Sequence, residues 1–298
     1  MELQWPLILF TFFVCLSSGI LFVQGLLSFL GKARELQLAS LVASAASLAV
    51  GGVAVFMHLE HWERIFNGFG HITSGITQEL IGVVLMGVVI VLFFLMMRRS
   101  EDGSVPAGVS VAAMVVPALM VFVTGHSYNM PALPSWNTPM LEVFYLANAA
   151  CLGALSVLII AAVKKASAAF GTLSQVAFIA ALAQLAAVAI YAAVIANSAG
   201  SYAQPGMYFD PTLPDVAVTV PSAVFFQMFT GDMALAFWGG SILLGCCIPA
   251  VAAFLAKRAA ESGRVLSLAG IGLASVVVGT LCWRGILYVV ALSVFAIF

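Results

Sequence analysis

Long apolar runs constrain this chain more than any other feature; they fall close to residues 6–30, 37–59, 76–97, 107–127, 140–163, 173–198, 226–256 and 266–292. A helix rising about 1.5 Å per residue needs about 20 apolar residues to cross the hydrocarbon of a bilayer. Every run meets that length, and a helix is the form in which a lipid-exposed backbone satisfies its own polar groups. The runs predict an all-α fold, a polytopic membrane bundle of about eight transmembrane helices. Charged residues make up only 8% of the chain, whereas a soluble domain carries about 25%. Charge in hydrocarbon costs several kcal/mol, which explains the deficit. The first run is too long for a signal-peptide core and lacks a basic leader, so it reads as a retained helix.

The cations give the bundle a direction. Lys32 and Arg34 follow the first run, Arg98 and Arg99 the third, and Lys164 and Lys165 the fifth, while Lys257, Arg258 and Arg264 separate the seventh from the eighth. Of the 11 basic residues, only Arg64 and Arg284 lie elsewhere. Alternate connections share one face, and the positive-inside rule makes that face cytoplasmic, with the N-terminus and C-terminus outside. Basic residues scattered in pairs make no patch for nucleic acid. The outer connections are richer in proline and tryptophan, including Trp62, Trp136, Pro131, Pro134 and Pro205, and these suit stiff loops at the membrane interface. No repeat or soluble segment interrupts the pattern, so residues 1–298 read as a single membrane domain. The five cysteines all lie in apolar runs without a CxxC. They read as small packing residues, and no metal site is expected.

Chemistry gathers at the outer end. All four histidines, His58, His61, His71 and His126, fall there. Glu79 opens the third run, Glu142 opens the fifth, and Asp232 and Arg284 sit at the outer ends of the seventh and eighth. The inner half carries hardly any ionisable group. A path across the membrane needs polar groups at the midplane and below, whereas a site reached from the outer leaflet needs a polar pocket at one end. The second fits better. If the second helix continues through residue 62, His58, His61 and Trp62 share a face, and Glu79 returns to a similar depth. Histidine titrates near neutrality, and a partly desolvated carboxyl is a competent proton acceptor, so the pair suits removal of two protons from a quinol. The plainer reading is an interfacial belt whose charges reach out to water. A haem between His58 and His126 would have no second haem on the inner side, and none is expected. Asp232 and Arg284 are expected to face the interior, either paired with one another or with Arg284 donating to a quinone carbonyl.

Several short motifs then resemble one family. The start Trp5-Pro6-Leu7-Ile8-Leu9-Phe10-Thr11, His58-Leu59 followed by Arg64 and Phe66-Asn67, Tyr128-Asn129, Pro134-Ser135-Trp136, Thr138-Pro139-Met140, and Trp283-Arg284-Gly285 with Tyr288 are similar, in that order, to the membrane anchor subunit of dimethyl sulfoxide reductase. The resemblance runs along nearly the whole chain. It implies a complex with an iron–sulfur electron-transfer subunit and a molybdopterin catalytic subunit in a bacterial cytoplasmic (inner) membrane. It also implies a haem-free anchor that takes menaquinol as bound substrate. The family's quinol-binding histidine at the end of helix two, the arginine just beyond it and the glutamate opening helix three fall on His58, Arg64 and Glu79. The connection before Glu79 is slightly shorter than the family's, and His61 and His71 are additions to its pattern.

The expected function is therefore menaquinol oxidation near the outer face, with electrons passed to an iron–sulfur partner. His58 and Glu79 would handle protons; Arg64 and Arg284 would bind quinol, supported by His61, Trp62 and Asp232. A secondary transporter or channel, and a purely structural anchor, stay open on the residues alone.

Overall fold

The computed structural model describes residues 3–59, 61, 70–198 and 223–292. Among the described residues, eight apolar helices are long enough to cross a membrane, and the chain is a multi-pass, all-α membrane protein. The first six spans are α1 (Trp5–Phe29), α2 (Gln37–Phe56), α3 (Gly75–Arg99), α4 (Ala107–His126), α5 (Met140–Val163) and α6 (Ser167–Asn197). A short helix α7 (Ala223–Thr230) precedes the seventh span, in which a π-helix (Leu235–Cys247) runs into α8 (Ile248–Lys257). The eighth span is α9 (Ser262–Val289).

Two expectations about these elements need correction. The apolar run 226–256 is not one helix, because Gly231, Asp232 and Met233 form a turn between α7 and the seventh span. Glycine and aspartate are poor in helix interiors and good in turns. The span itself is π-helical over its first part, a geometry that is rare and often marks functional regions. Ser241 Oγ and Cys246 Sγ donate to the carbonyls five residues back, at 3.1 Å and 3.3 Å. Gly240 faces α9 where a Cβ would collide with Cys282, and a Cβ on Gly279 of α9 would collide with Gly245, so small residues let this wider helix lie against its neighbour. The second correction is the end of α2, which stops at Phe56 and does not continue through residue 62. Met57 and His58 are already exposed, so the apolar face that a longer helix would bury has run out.

The eight spans form two groups with the same layout. In each group the first helix packs on the second and the fourth, and the third span packs on the fourth. The groups join along α1 and α5, where Gly19 and Gly153 allow the two backbones to touch. These two central helices are the most enclosed, and α3 is the least. The match is incomplete in one place: α6 packs against the seventh span, whereas α2 and α3 meet only sparsely.

The two ends also differ. At the cationic end the turns are short, and two contacts bind them together: Arg34 Nη1 to Asp102 Oδ2 at 2.6 Å, and Lys257 to Gln175. At the histidine end the connections are long. The one between α4 and α5 folds back over the bundle, where Trp136 Nε1 donates to Leu287 O at 2.9 Å and Ser135 Oγ to Val290 O at 3.0 Å. Carbonyls at a helix end have no partner within the helix, so this loop caps α9.

Candidate functional site

The gap between α2 and α3 holds a cavity of about 320 Å³ at the histidine end. Phe10, Val55, Phe56, Leu80 and Val83 give it apolar walls, and Glu79 and His61 are the ionisable residues that line it among the described residues. Glu79 sits in the second turn of α3, and its Oε1 accepts a hydrogen bond of 2.5 Å from Ser127 Oγ. The same hydroxyl lies 2.9 Å from Thr124 O. Gly75, one turn before Glu79, makes this approach possible, since a Cβ there would stand 2.6 Å from Ser127 Cβ.

His58 is placed differently from expectation. It lies in the turn after α2, its N–H bonded to Val55 O at 3.0 Å, and its ring is exposed. Its neighbours Phe56 and Leu59 line the cavity, and so does His61. His58 and His61 share no helix face, because α2 has ended. Arg64 and Trp62 lie outside the described residues.

Arg284, on α9, is buried where the second group of helices meets α1. Its Nε donates to Thr11 Oγ1 at 3.1 Å, Nη1 to Asn148 Oδ1 at 3.2 Å, and Nη2 to Thr11 O and Cys15 Sγ at 3.3 Å each. The guanidinium also lies 4.7 Å from the Tyr145 ring centroid, a cation–π contact that helps to hold a desolvated cation. The expected pairing with Asp232 is not formed: Asp232 is exposed in the turn after α7. The space beside Arg284, among Tyr128, Trp136 and Tyr288, is about 10 Å³, room for roughly one water molecule. Arg284 does not line the Glu79 cavity.

Polar groups beyond those singled out in the sequence complete the interior. Asn148 Nδ2 donates to Gln184 Oε1 at 3.1 Å and to Thr280 Oγ1 at 2.7 Å, and Gln184 Nε2 donates to Gly245 O of the π-helix at 2.8 Å. Lone amides within alanine- and leucine-rich spans were the available signal, since such side chains bond across helices in lipid. Glu142 and His126, which the sequence places at helix ends without pairing them, meet at 3.3 Å.

Against known families, residues 1–288 match the DMSO reductase anchor subunit, DmsC. The chain belongs to this family. The match spans both groups of helices and reaches all but the last residue of α9. No individual curated protein matches it significantly. Members of the DMSO reductase anchor family hold a reductase complex at the membrane, which implies catalytic and electron-transfer partner subunits. In this anchor, the carboxyl at the start of helix three faces an open cavity.

Proposed function

We propose that the anchor binds menaquinol in the cavity between α2 and α3 and oxidises it there, passing electrons to an iron–sulfur cluster of its partner subunit. The observation that carries this reading is Glu79, a carboxyl held by Ser127 on the wall of a cavity whose described lining is apolar apart from His61. A quinol head is flat and apolar with two hydroxyls, and small-ligand sites span about 300–1,000 Å³ with few polar groups. The sparse contact between α2 and α3 leaves a way out to lipid for the isoprenoid tail.

Oxidation of menaquinol releases two protons and two electrons. Ser127 suits Glu79 to take a proton, because its single hydrogen has two acceptors in reach, Glu79 Oε1 and Thr124 O. While Glu79 is charged, Ser127 donates to it; once Glu79 is protonated, the carboxyl donates to Ser127 and the hydroxyl turns to Thr124 O. Both states keep their hydrogen bonds, as a general base requires. His61 at the cavity wall, or His58 in the adjoining turn, takes the second proton, and Arg64 steadies the developing oxyanion. The protein supplies binding and orientation, and the partner subunits' iron–sulfur clusters and molybdopterin carry the redox chemistry. The cationic end faces the cytoplasm of a bacterial cell and both termini face outward. Protons are then released on the outer side, where the partner lies over the loops.

In the assembled complex, Glu79→Gln should lower menaquinol-linked reduction by about 10²-fold or more, with dye-linked reduction and subunit assembly unchanged. Wild-type quinol turnover in this variant would refute the assignment.

A further inference from the structure

The last turn of α4 is clamped between two carboxyl groups, of which the quinol site uses one. Glu79 of α3 meets Ser127 on one side, and Glu142 of α5 meets the preceding residue, His126, on the other. Gly125 permits the second approach, since a Cβ there would stand 2.8 Å from Glu142 Cα. Glu142 is 4% exposed. Its Oε1 accepts from Asn129 Nδ2 at 2.7 Å, while its Oε2 is buried without a hydrogen-bond partner. A buried carboxylate oxygen that no donor reaches is a seat for an arriving proton.

His126 is built to pass that proton on. Its ring is exposed and stacks along Phe122 at 6.0 Å. Its Nδ1 lies 3.3 Å from Glu142 Oε1 and 3.3 Å from Asn129 Nδ2. When Nδ1 carries hydrogen it donates to the carboxylate; when bare it accepts from the amide. The ring is therefore held in one place through a full cycle of protonation. The other titratable groups around the pair are Glu79 on α3, Tyr128 in the connection, Tyr145 on α5 and Tyr191 on α6, which is close enough to sense the charge of Glu142.

We propose that Glu142, His126 and Asn129 form the proton outlet of the quinol site. This rests on the reading of the α2–α3 cavity as that site. The two electrons of menaquinol go to the partner's iron–sulfur clusters. A proton from Glu79 crosses the end of α4 to Glu142 Oε2; the carboxyl then turns to present it to His126 Nδ1, and the imidazolium releases its Nε2 proton into water at the histidine end. Exchange with water then returns the ring from its Nδ1–H to its Nε2–H tautomer, which restores the starting state, and nothing is consumed there.

The test uses the whole complex in liposomes with a menaquinol analogue as donor. Glu142→Gln keeps the bond from Asn129 and should slow quinol-linked turnover by about tenfold or more, with a larger solvent deuterium isotope effect than the wild type. Dye-linked reduction and quenching of a fluorescent quinol analogue should be unchanged. His126→Ala should be slowed likewise and recover with added imidazole, a response that a purely structural role would not give. Wild-type turnover in both variants, beside an inactive Glu79→Gln, would overturn the outlet and leave the quinol site standing. Wild-type turnover in Glu79→Gln as well would remove the site on which the outlet depends. If Glu142→Gln does not assemble, His126→Ala decides: rescue by imidazole supports the outlet, and a slowed complex that imidazole fails to rescue overturns it.

Discussion

In the half of the bundle built from α5 to α9, the seventh span packs against α6; in the half built from α1 to α4, the corresponding helices α3 and α2 stand apart. The closed half fills its interior with hydrogen bonds that run from Arg284, which also reaches Thr11 and Cys15 of α1, through Asn148 and Gln184 to the Gly245 carbonyl. The open half leaves Glu79 on a cavity wall with Ser127 as its partner. One layout thus serves two ends. Where the second and third spans touch, polar side chains satisfy one another and stiffen the fold; where they part, a polar side chain is left to meet a ligand.

Filling the gap should produce the largest effect. A Cβ on Gly52 would meet nothing within 4 Å, and Gly52 lines the cavity, so Gly52→Phe places a ring where the quinol head would lie. Quinol-analogue quenching and quinol-linked turnover should both disappear, while unfolding free energy moves by no more than about 0.5 kcal/mol. Retained quenching would mean that the quinol lies elsewhere.

The closed half should respond in the opposite sense. Arg284→Met strands Asn148 Oδ1 in a dry interior, and should cost about 1–3 kcal/mol of stability. Denaturant unfolding of the purified complex would measure this, with quinol binding per folded molecule unchanged. Lost binding at unchanged stability would move Arg284 from the fold to the quinol.

The smallest effect belongs to the cationic end, remote from both interiors. Hydrogen bonds from Ser100 and Ser104, and then the Arg34 guanidinium, hold the Asp102 carboxyl well below the usual carboxylate range. A depressed folded value means that its stabilisation is complete above the ordinary value of about 3.9 and fades as pH falls through the folded one. Asp102→Asn should therefore melt slightly below the wild type at neutral pH, and the two curves should converge in strong acid. Pairs this exposed contribute little, and quinol-linked turnover should not change.

The spans were legible because lipid imposes a length and a composition that eight runs obey, and most helix ends fall within a few residues of the apolar limits. The departures share a cause: hydropathy does not record how a backbone winds. Gly239, Gly240 and Gly245 are as apolar in a π-helix as in an α-helix, and Met57 ends a helix that composition alone would extend. Pairing by depth also misled, since Asp232 and Arg284 lie near the same end, yet a turn at Gly231 carries Asp232 to the surface. Glu79 stood out because it opens a span. The meeting of Glu142 with His126 did not, because it depends on how the intervening connection folds back.

The most direct test is photolabelling of the assembled complex with an azido-substituted menaquinol analogue, followed by mapping of the modified peptide. The account predicts label on α2 around Val55 and Phe56 and on the first turns of α3, competed away by menaquinol. Label concentrated on α9 near Arg284, with α2 and α3 clean, would contradict it.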